Sequence, residues 1–296
     1  MTSMGVLDVL LVAAAALWGA AAGALLPRAA YRFSAPAGEP WRDRCPGGHP
    51  VRGWLGGARC GACAAGEGSY AAGEPPSPQD TGPRARPGGS YAEDRATRAE
   101  GSYAESGATR AEGGGSYAPG PLPPAVLTAL VCAALAGATG TRPELVVWLL
   151  LAPVGVLLAV VDRRVARLPD PLTLPFAGAA LALLGLAALL PEHAGSWTTA
   201  LLGALALGAG YFVLWLINPA GMGFGDVKLA LGAGAVLGWY GWATVMLGTL
   251  AGFLLGAVYG GVLVLARRAG RRTAIAFGPF LIAGAFLGVL AGAYAA

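Results

Sequence analysis

Two aspartates stand where long apolar runs break off into short polar segments. Asp162 follows the apolar run 146–161, and Asp226 closes Gly221-Met222-Gly223-Phe224-Gly225-Asp226 behind another such run. An ionisable group at the edge of an apolar helix is costly to place and marks a functional site by default. Two carboxylates that share a site cannot both ionise easily, so one stays protonated as an acid while the other activates water as a base. Such a pair hydrolyses a bond by acid–base chemistry, with no covalent intermediate.

Neighbouring residues offer blander readings. Asp170, followed by Pro171, suits a helix N-cap with proline at the first helical position, which makes it structural. Asp162 has no such duty, and its bland role is an ion pair with Arg163, Arg164 or Arg167. For Asp226 the bland role is an N-cap. Gly223 and Gly225 allow the backbone to approach an extended peptide closely, and Lys228 follows within a turn. These glycines lack the spacing and strand context of a nucleotide loop. Helix-end electrostatics make Asp226 the more readily ionised of the pair, the three arginines oppose that, and coupled groups titrate together.

The elements that must position these groups are membrane helices. The 296 residues are 55% hydrophobic and 12% charged, with a mean hydropathy of +0.59, far more apolar than a soluble domain. Runs long enough to cross a bilayer fall at 4–26, 123–140, 144–161, 172–190, 197–217, 242–266 and 275–295, with a shorter one at 227–239. The expected fold is all-α: a polytopic membrane protein of about eight transmembrane helices, with a cytoplasmic Cys-containing loop domain between helices 1 and 2. The first run lacks the basic n-region of a secretory signal. The positive-inside rule puts 27–122, Arg163, Arg164, Arg167, Lys228, Arg267, Arg268, Arg271 and Arg272 on the cytoplasmic side, and Asp162 and Asp226 with them. The net charge of +4 is spread over loops where topology demands it, so the partner is the lipid bilayer and not nucleic acid.

Four segments follow: the first transmembrane helix (1–26), a cytoplasmic zinc-binding segment (27–63), a low-complexity linker (64–122) and a membrane domain (123–296). The linker repeats Gly-Ser-Tyr-Ala at 68–71, 89–92, 101–104 and 115–118 and lacks the large aliphatics needed for a core, so it reads as disordered. In the segment before it, Cys60 and Cys63 have the knuckle spacing that grips a tetrahedral metal. Cys45 and His49 would complete a zinc site of three cysteines and one histidine. The alternative is free thiols on a flexible loop, and a cytoplasmic location disfavours a disulfide. Cys132 lies inside the second apolar run, where it acts as a small apolar side chain.

At these residues the chain resembles the type IV prepilin peptidases, a family of GxGD intramembrane aspartyl proteases. Gly223-Phe224-Gly225-Asp226-Val227-Lys228-Leu229 is similar to the family's GxGD box. Val161-Asp162 with Leu168-Pro169-Asp170 resembles its first aspartate box, and Phe277-Gly278-Pro279-Phe280 its C-terminal segment. The resemblance implies a multi-pass protease of the bacterial cytoplasmic membrane, active on the cytoplasmic side, with Asp162 and Asp226 as its catalytic pair and no metal in the chemistry. Its partners would be the leader peptides of prepilins or pseudopilins and a pilus or secretion assembly machinery. Many members also carry a zinc-binding domain tied to S-adenosylmethionine-dependent methylation of the new N-terminus, which makes a bifunctional peptidase and N-methyltransferase one alternative. Here Gly48 stands in place of the second cysteine, and Gly23-Ala24-Leu25-Leu26-Pro27 lacks the family's asparagine. S-adenosylmethionine is implied only if the methyltransferase activity is retained. Alternatives from another class are a small membrane transporter, with the carboxylates binding a cation or relaying protons, and a scaffold of pilus assembly.

Overall fold

A computed structural model describes residues 5–36, 38–66, 116–118, 120–219, 221–266 and 276–296. The linker repeats, apart from residues 116–118, and the basic cluster Arg267–Arg272 lie outside the described residues. The described residues fall into two compact units, one within Met1–Arg42, Gly53–Gly57 and Gly120–Ala296, the other within Asp43–Arg52 and Ala58–Pro119.

Among the described residues the architecture is all-α, with no strand. The first unit holds α1 (Val6–Ala24) and α2 (Leu26–Phe33). The second holds the single-turn α3 (Gly61–Ala64). The first unit resumes with α4 (Leu122–Thr139), α5 (Glu144–Val165), α6 (Asp170–Ala187), α7 (Trp197–Ile217), α8 (Phe224–Gly238), α9 (Trp242–Leu265) and α10 (Gly278–Ala295). Seven of these are long and apolar enough to cross a membrane. The expected eighth, α8, has 15 residues and so spans about 22 Å, short of the roughly 30 Å bilayer core. Instead it is enclosed by α6, α7, α9 and α10. Its residues from Leu229 to Gly238 are nearly all buried.

Small residues make that enclosure possible. A Cβ on Gly203 of α7 would stand 2.6 Å from the carbonyl oxygen of Gly234 and 2.9 Å from the Cα of Gly238. A Cβ on Gly234 would in turn meet the Gly203 carbonyl, and one on Gly208 would meet the Leu231 side chain. The two helices therefore touch backbone to backbone, in an antiparallel register. Leu158, Leu184, Leu229, Leu237 and Trp239 fill the core around them.

Helix ends deviate from the sequence expectation in ways that matter for the site. The apolar run ends at Val161, yet α5 continues one turn to Val165 and stops at Ala166 in the left-handed conformation (φ 47°), whose N–H donates to the Asp162 carbonyl at 2.7 Å. Arg163 and Arg164 in this last turn offset the negative end of the helix dipole. At the other end of the bundle, Arg142 donates to the Ala293 carbonyl at 3.0 Å, near the C-terminus of α10. Cys132 is fully buried with Ala15, Ala136 and Leu145, as its apolar reading requires.

Gly234→Val is expected to destabilise the detergent-solubilised protein by about 1–3 kcal/mol, the usual cost of overpacking where backbone cannot yield. Gly210→Ala, where an added Cβ meets nothing within 4 Å, serves as the neutral control in thermal unfolding.

Candidate active site

Asp162 and Asp226 come together at one end of the helical unit. Asp162 sits in the last turn of α5 and Asp226 in the first turn of α8, and both line one open cleft of about 1100 Å³. Only 4% and 6% of their surfaces are exposed. They are close enough for the charge of Asp162 to act on Asp226.

The Asp162 carboxylate has a backbone partner. Its Oδ2 accepts the N–H of Gly278 at 3.0 Å, not a bond from Arg163, Arg164 or Arg167, so the surface ion pair is not what holds it. Gly278 opens α10, where free N–H groups and the positive end of the helix dipole favour an anion. A Cβ at Gly278 would stand 2.6 Å from that oxygen. The Phe277-Gly278-Pro279-Phe280 segment is thus a cradle for Asp162.

Asp226 is held differently. The helix is capped by Gly223, whose carbonyl accepts the Asp226 N–H at 3.0 Å, so the aspartate lies inside the first turn and is not the N-cap. Asp226 Oδ1 is buried and has no hydrogen-bond partner. Gly225 abuts Leu168, whose Cβ lies 2.8 Å from where a Cβ on Gly225 would be, and this locks the start of α8 against the α5–α6 turn.

The charges beside the pair are otherwise engaged. Lys228 Nζ bonds Asp170 Oδ2 at 2.7 Å and lies 5.1 Å from the Phe224 ring centroid. Asp170 is therefore not the N-cap that the Asp-Pro dipeptide suggests: Pro169 occupies the cap position and no side-chain cap bond forms. The competing interaction that won is the ammonium reaching across from α8. Arg167 donates to the Pro36 carbonyl at 3.0 Å and stands 5.2 Å from the Trp41 ring centroid. Phe253, Phe277, Phe280 and Met222 supply the apolar part of the cleft. Tyr211, which no sequence signal marks within its apolar run, is buried against Phe253 and Phe277 of that lining.

In the second unit, Cys45, His49, Cys60 and Cys63 present ligand atoms that all lie within 4.8 Å of one another. Cys45 Sγ is 3.5 Å from Cys63 Sγ, and His49 Nδ1 is 3.3 Å from Cys63 Sγ. The Cys45–His49 turn closes through the Cys45 N–H on the His49 carbonyl (2.9 Å), with Gly48 at φ +80°, a conformation that favours glycine. The backbone N–H of Cys63 holds the Cys60 thiol below its ordinary value, while burial, then hydrogen bonds with Cys45 and Cys60, push the Cys63 thiol up to about 12. Crowded thiols of this kind give up protons to a cation. The set therefore fits a tetrahedral metal of the zinc type, although the first half is C-x3-H.

Residues 148–261 match the model of the type IV leader peptidase family. Among curated proteins, the chain is 33% identical over 177 residues to a prepilin leader peptidase/N-methyltransferase of Aeromonas salmonicida, covering 57% of this chain and 55% of that one. To the protein of the same name from Aeromonas hydrophila it is 35% identical over 179 residues (57% and 56%). To that of Escherichia coli it is 38% identical over 138 residues (44% and 56%). The chain thus matches over little more than half the length of these relatives. No solved structure matches it.

The Asp170–Lys228 pair is open to a direct check. Asp170 is 62% exposed on its side chain, so Asp170→Ala and Lys228→Met, measured singly and together by unfolding, should show a coupling of only about 0.2–1 kcal/mol. Strictly additive losses would mean that Asp170 acts on its own helix.

Proposed function

We propose that the chain is a member of the type IV leader peptidase family, whose model matches residues 148–261, and a membrane aspartyl endopeptidase that removes the leader peptide from prepilins or pseudopilins. The observation that carries this reading is the meeting of Asp162 and Asp226 on one cleft, both buried and, among the described residues, without an ion-pair partner. A water held between the two carboxylates attacks the scissile carbonyl, the ionised aspartate taking its proton while the protonated one gives its proton to the developing oxyanion; as the C–N bond breaks, the first aspartate passes the proton it took to the leaving amine and the second recovers one from the gem-diol hydroxyl. The Gly278 N–H fixes the orientation of Asp162. Gly223 and Gly225 at the rim let an extended leader lie close to the backbone, and Lys228 sits beside that path. Metal takes no part in these steps.

The cleft faces the cytoplasm in this reading. Arg163, Arg164, Arg167 and Lys228 belong to the same end of the bundle as the aspartates, which is the side that the positive-inside rule assigns to the cytoplasm. The lipid bilayer and the pilus or secretion assembly machinery are the corresponding partners. Cys45, His49, Cys60 and Cys63 hold a structural zinc ion, supported by the compactness of the four ligand atoms. S-adenosylmethionine enters only with the methyltransferase activity in the relatives' names.

Asp162→Asn or Asp226→Asn is expected to abolish leader cleavage while the protein stays in the membrane. Incubating each variant with a prepilin and mass-measuring the product's N-terminus checks this and detects methylation in the same spectrum, and full processing by either variant would sink the assignment. Elemental analysis of the purified protein should find about one zinc per chain, lost in Cys60→Ser and Cys63→Ser. Sub-stoichiometric zinc with all four ligands intact would refute the metal site.

A further inference from the structure

We propose that Tyr211 is a positioning residue for Asp226, its hydroxyl holding the inner carboxylate oxygen so that the outer one faces the cleft. The inference rests on the aspartyl peptidase reading and adds a residue to it.

The register of α7 against α8 sets the level of Tyr211. Gly203 faces Gly234 and Gly238, and Gly208 receives the Leu231 side chain, so each step toward the C-terminus of α7 is a step toward the N-terminus of α8. One turn beyond Gly208, the antiparallel pairing brings Tyr211 level with the first turn of α8, where Asp226 sits. Burial agrees with the register: Tyr211 is 2% exposed and Asp226 is 6% exposed. The Tyr211 ring stacks on Phe253 at 5.7 Å and lies 6.1 Å from Phe277, two rings that line the cleft. Its position is therefore fixed from three sides, by α7, by α9 and by the segment that leads into α10.

Two polar atoms are stranded in this apolar setting. The Tyr211 hydroxyl is buried without a hydrogen-bond partner, and so is Asp226 Oδ1. Buried polar groups almost always find a partner, and each orphan calls for an explanation. One is a donor and the other a charge-bearing acceptor, and the register of α7 on α8 sets both at the same level. A short side-chain adjustment, or one bridging water, satisfies both. The two oxygens of Asp226 are also unlike in setting. Oδ2 lies toward Gly223 at the rim, whereas Oδ1 is enclosed. If the ring were there only to pack, phenylalanine would serve without the cost of desolvating a hydroxyl.

Tyr211→Phe deletes the oxygen and keeps the ring. Wild type, Tyr211→Phe and Asp226→Asn, each purified and reconstituted in liposomes, are compared in steady-state cleavage of a synthetic peptide that spans a prepilin leader and its cleavage site. Losing a hydrogen bond to a charged group should lower kcat by about 10- to 100-fold, with KM within about twofold and the thermal unfolding midpoint not lowered. A Tyr211→Phe enzyme with wild-type kcat overturns the inference while the inactive Asp226→Asn control leaves the peptidase reading standing. A lowered unfolding midpoint, or equal losses in kcat and 1/KM, overturns it in favour of a packing role. Wild-type protein that cleaves nothing overturns the peptidase reading and this inference with it.

Discussion

The site is built on two carboxylates buried inside the end of an apolar bundle with, among the described residues, no ion-pair partner. A carboxylate taken out of water demands hydrogen bonds or a counter-ion. Asp162 takes the first route, with the N–H of Gly278. Asp226 has one side-chain oxygen toward Gly223 and the other, Oδ1, buried without a hydrogen-bond partner. A guanidinium or ammonium placed between them would hold both in the ionised form and remove the acid that the proposed hydrolysis requires.

Two described cations that line the cleft are drawn elsewhere. Lys228 is two residues from Asp226, yet it reaches to Asp170 and lies over Phe224. Arg167 lines the same cleft but is spent on the Pro36 carbonyl and the Trp41 ring. Asp170 thus ties the start of α6 to the start of α8 through that lysine. The enclosure of α8 works toward the same end. Backbone contact at Gly203, Gly234 and Gly238 fixes its axis against α7, and so fixes where its first turn presents Asp226.

The cysteine-bearing unit shows the same economy on a smaller scale. A turn of five residues brings Cys45 and His49 to Cys63, and Gly48 supplies the left-handed backbone the turn demands. C-x3-H spacing looked like a departure in the sequence. In space it brings a sulfur and a ring nitrogen within 3.6 Å of each other.

The sequence by itself determined which segments are helical and singled out Asp162 and Asp226, which meet on one cleft, because apolar run length and the cost of a charge at a helix edge are local properties. The boundaries of Trp197–Ile217 follow directly from its apolar run, and the cluster of Cys45, His49, Cys60 and Cys63 was legible from spacing alone. Tertiary structure alone decided the rest. It moved Asp170 from a cap to an ion pair, carried α5 one turn past Asp162, gave Asp162 a donor more than a hundred positions away in the chain, and set Tyr211 against Phe253 and Phe277. Each of these depends on how closely two helices approach and in what register. That is fixed by pairs of glycines on different helices, which no local reading of one helix can match to each other.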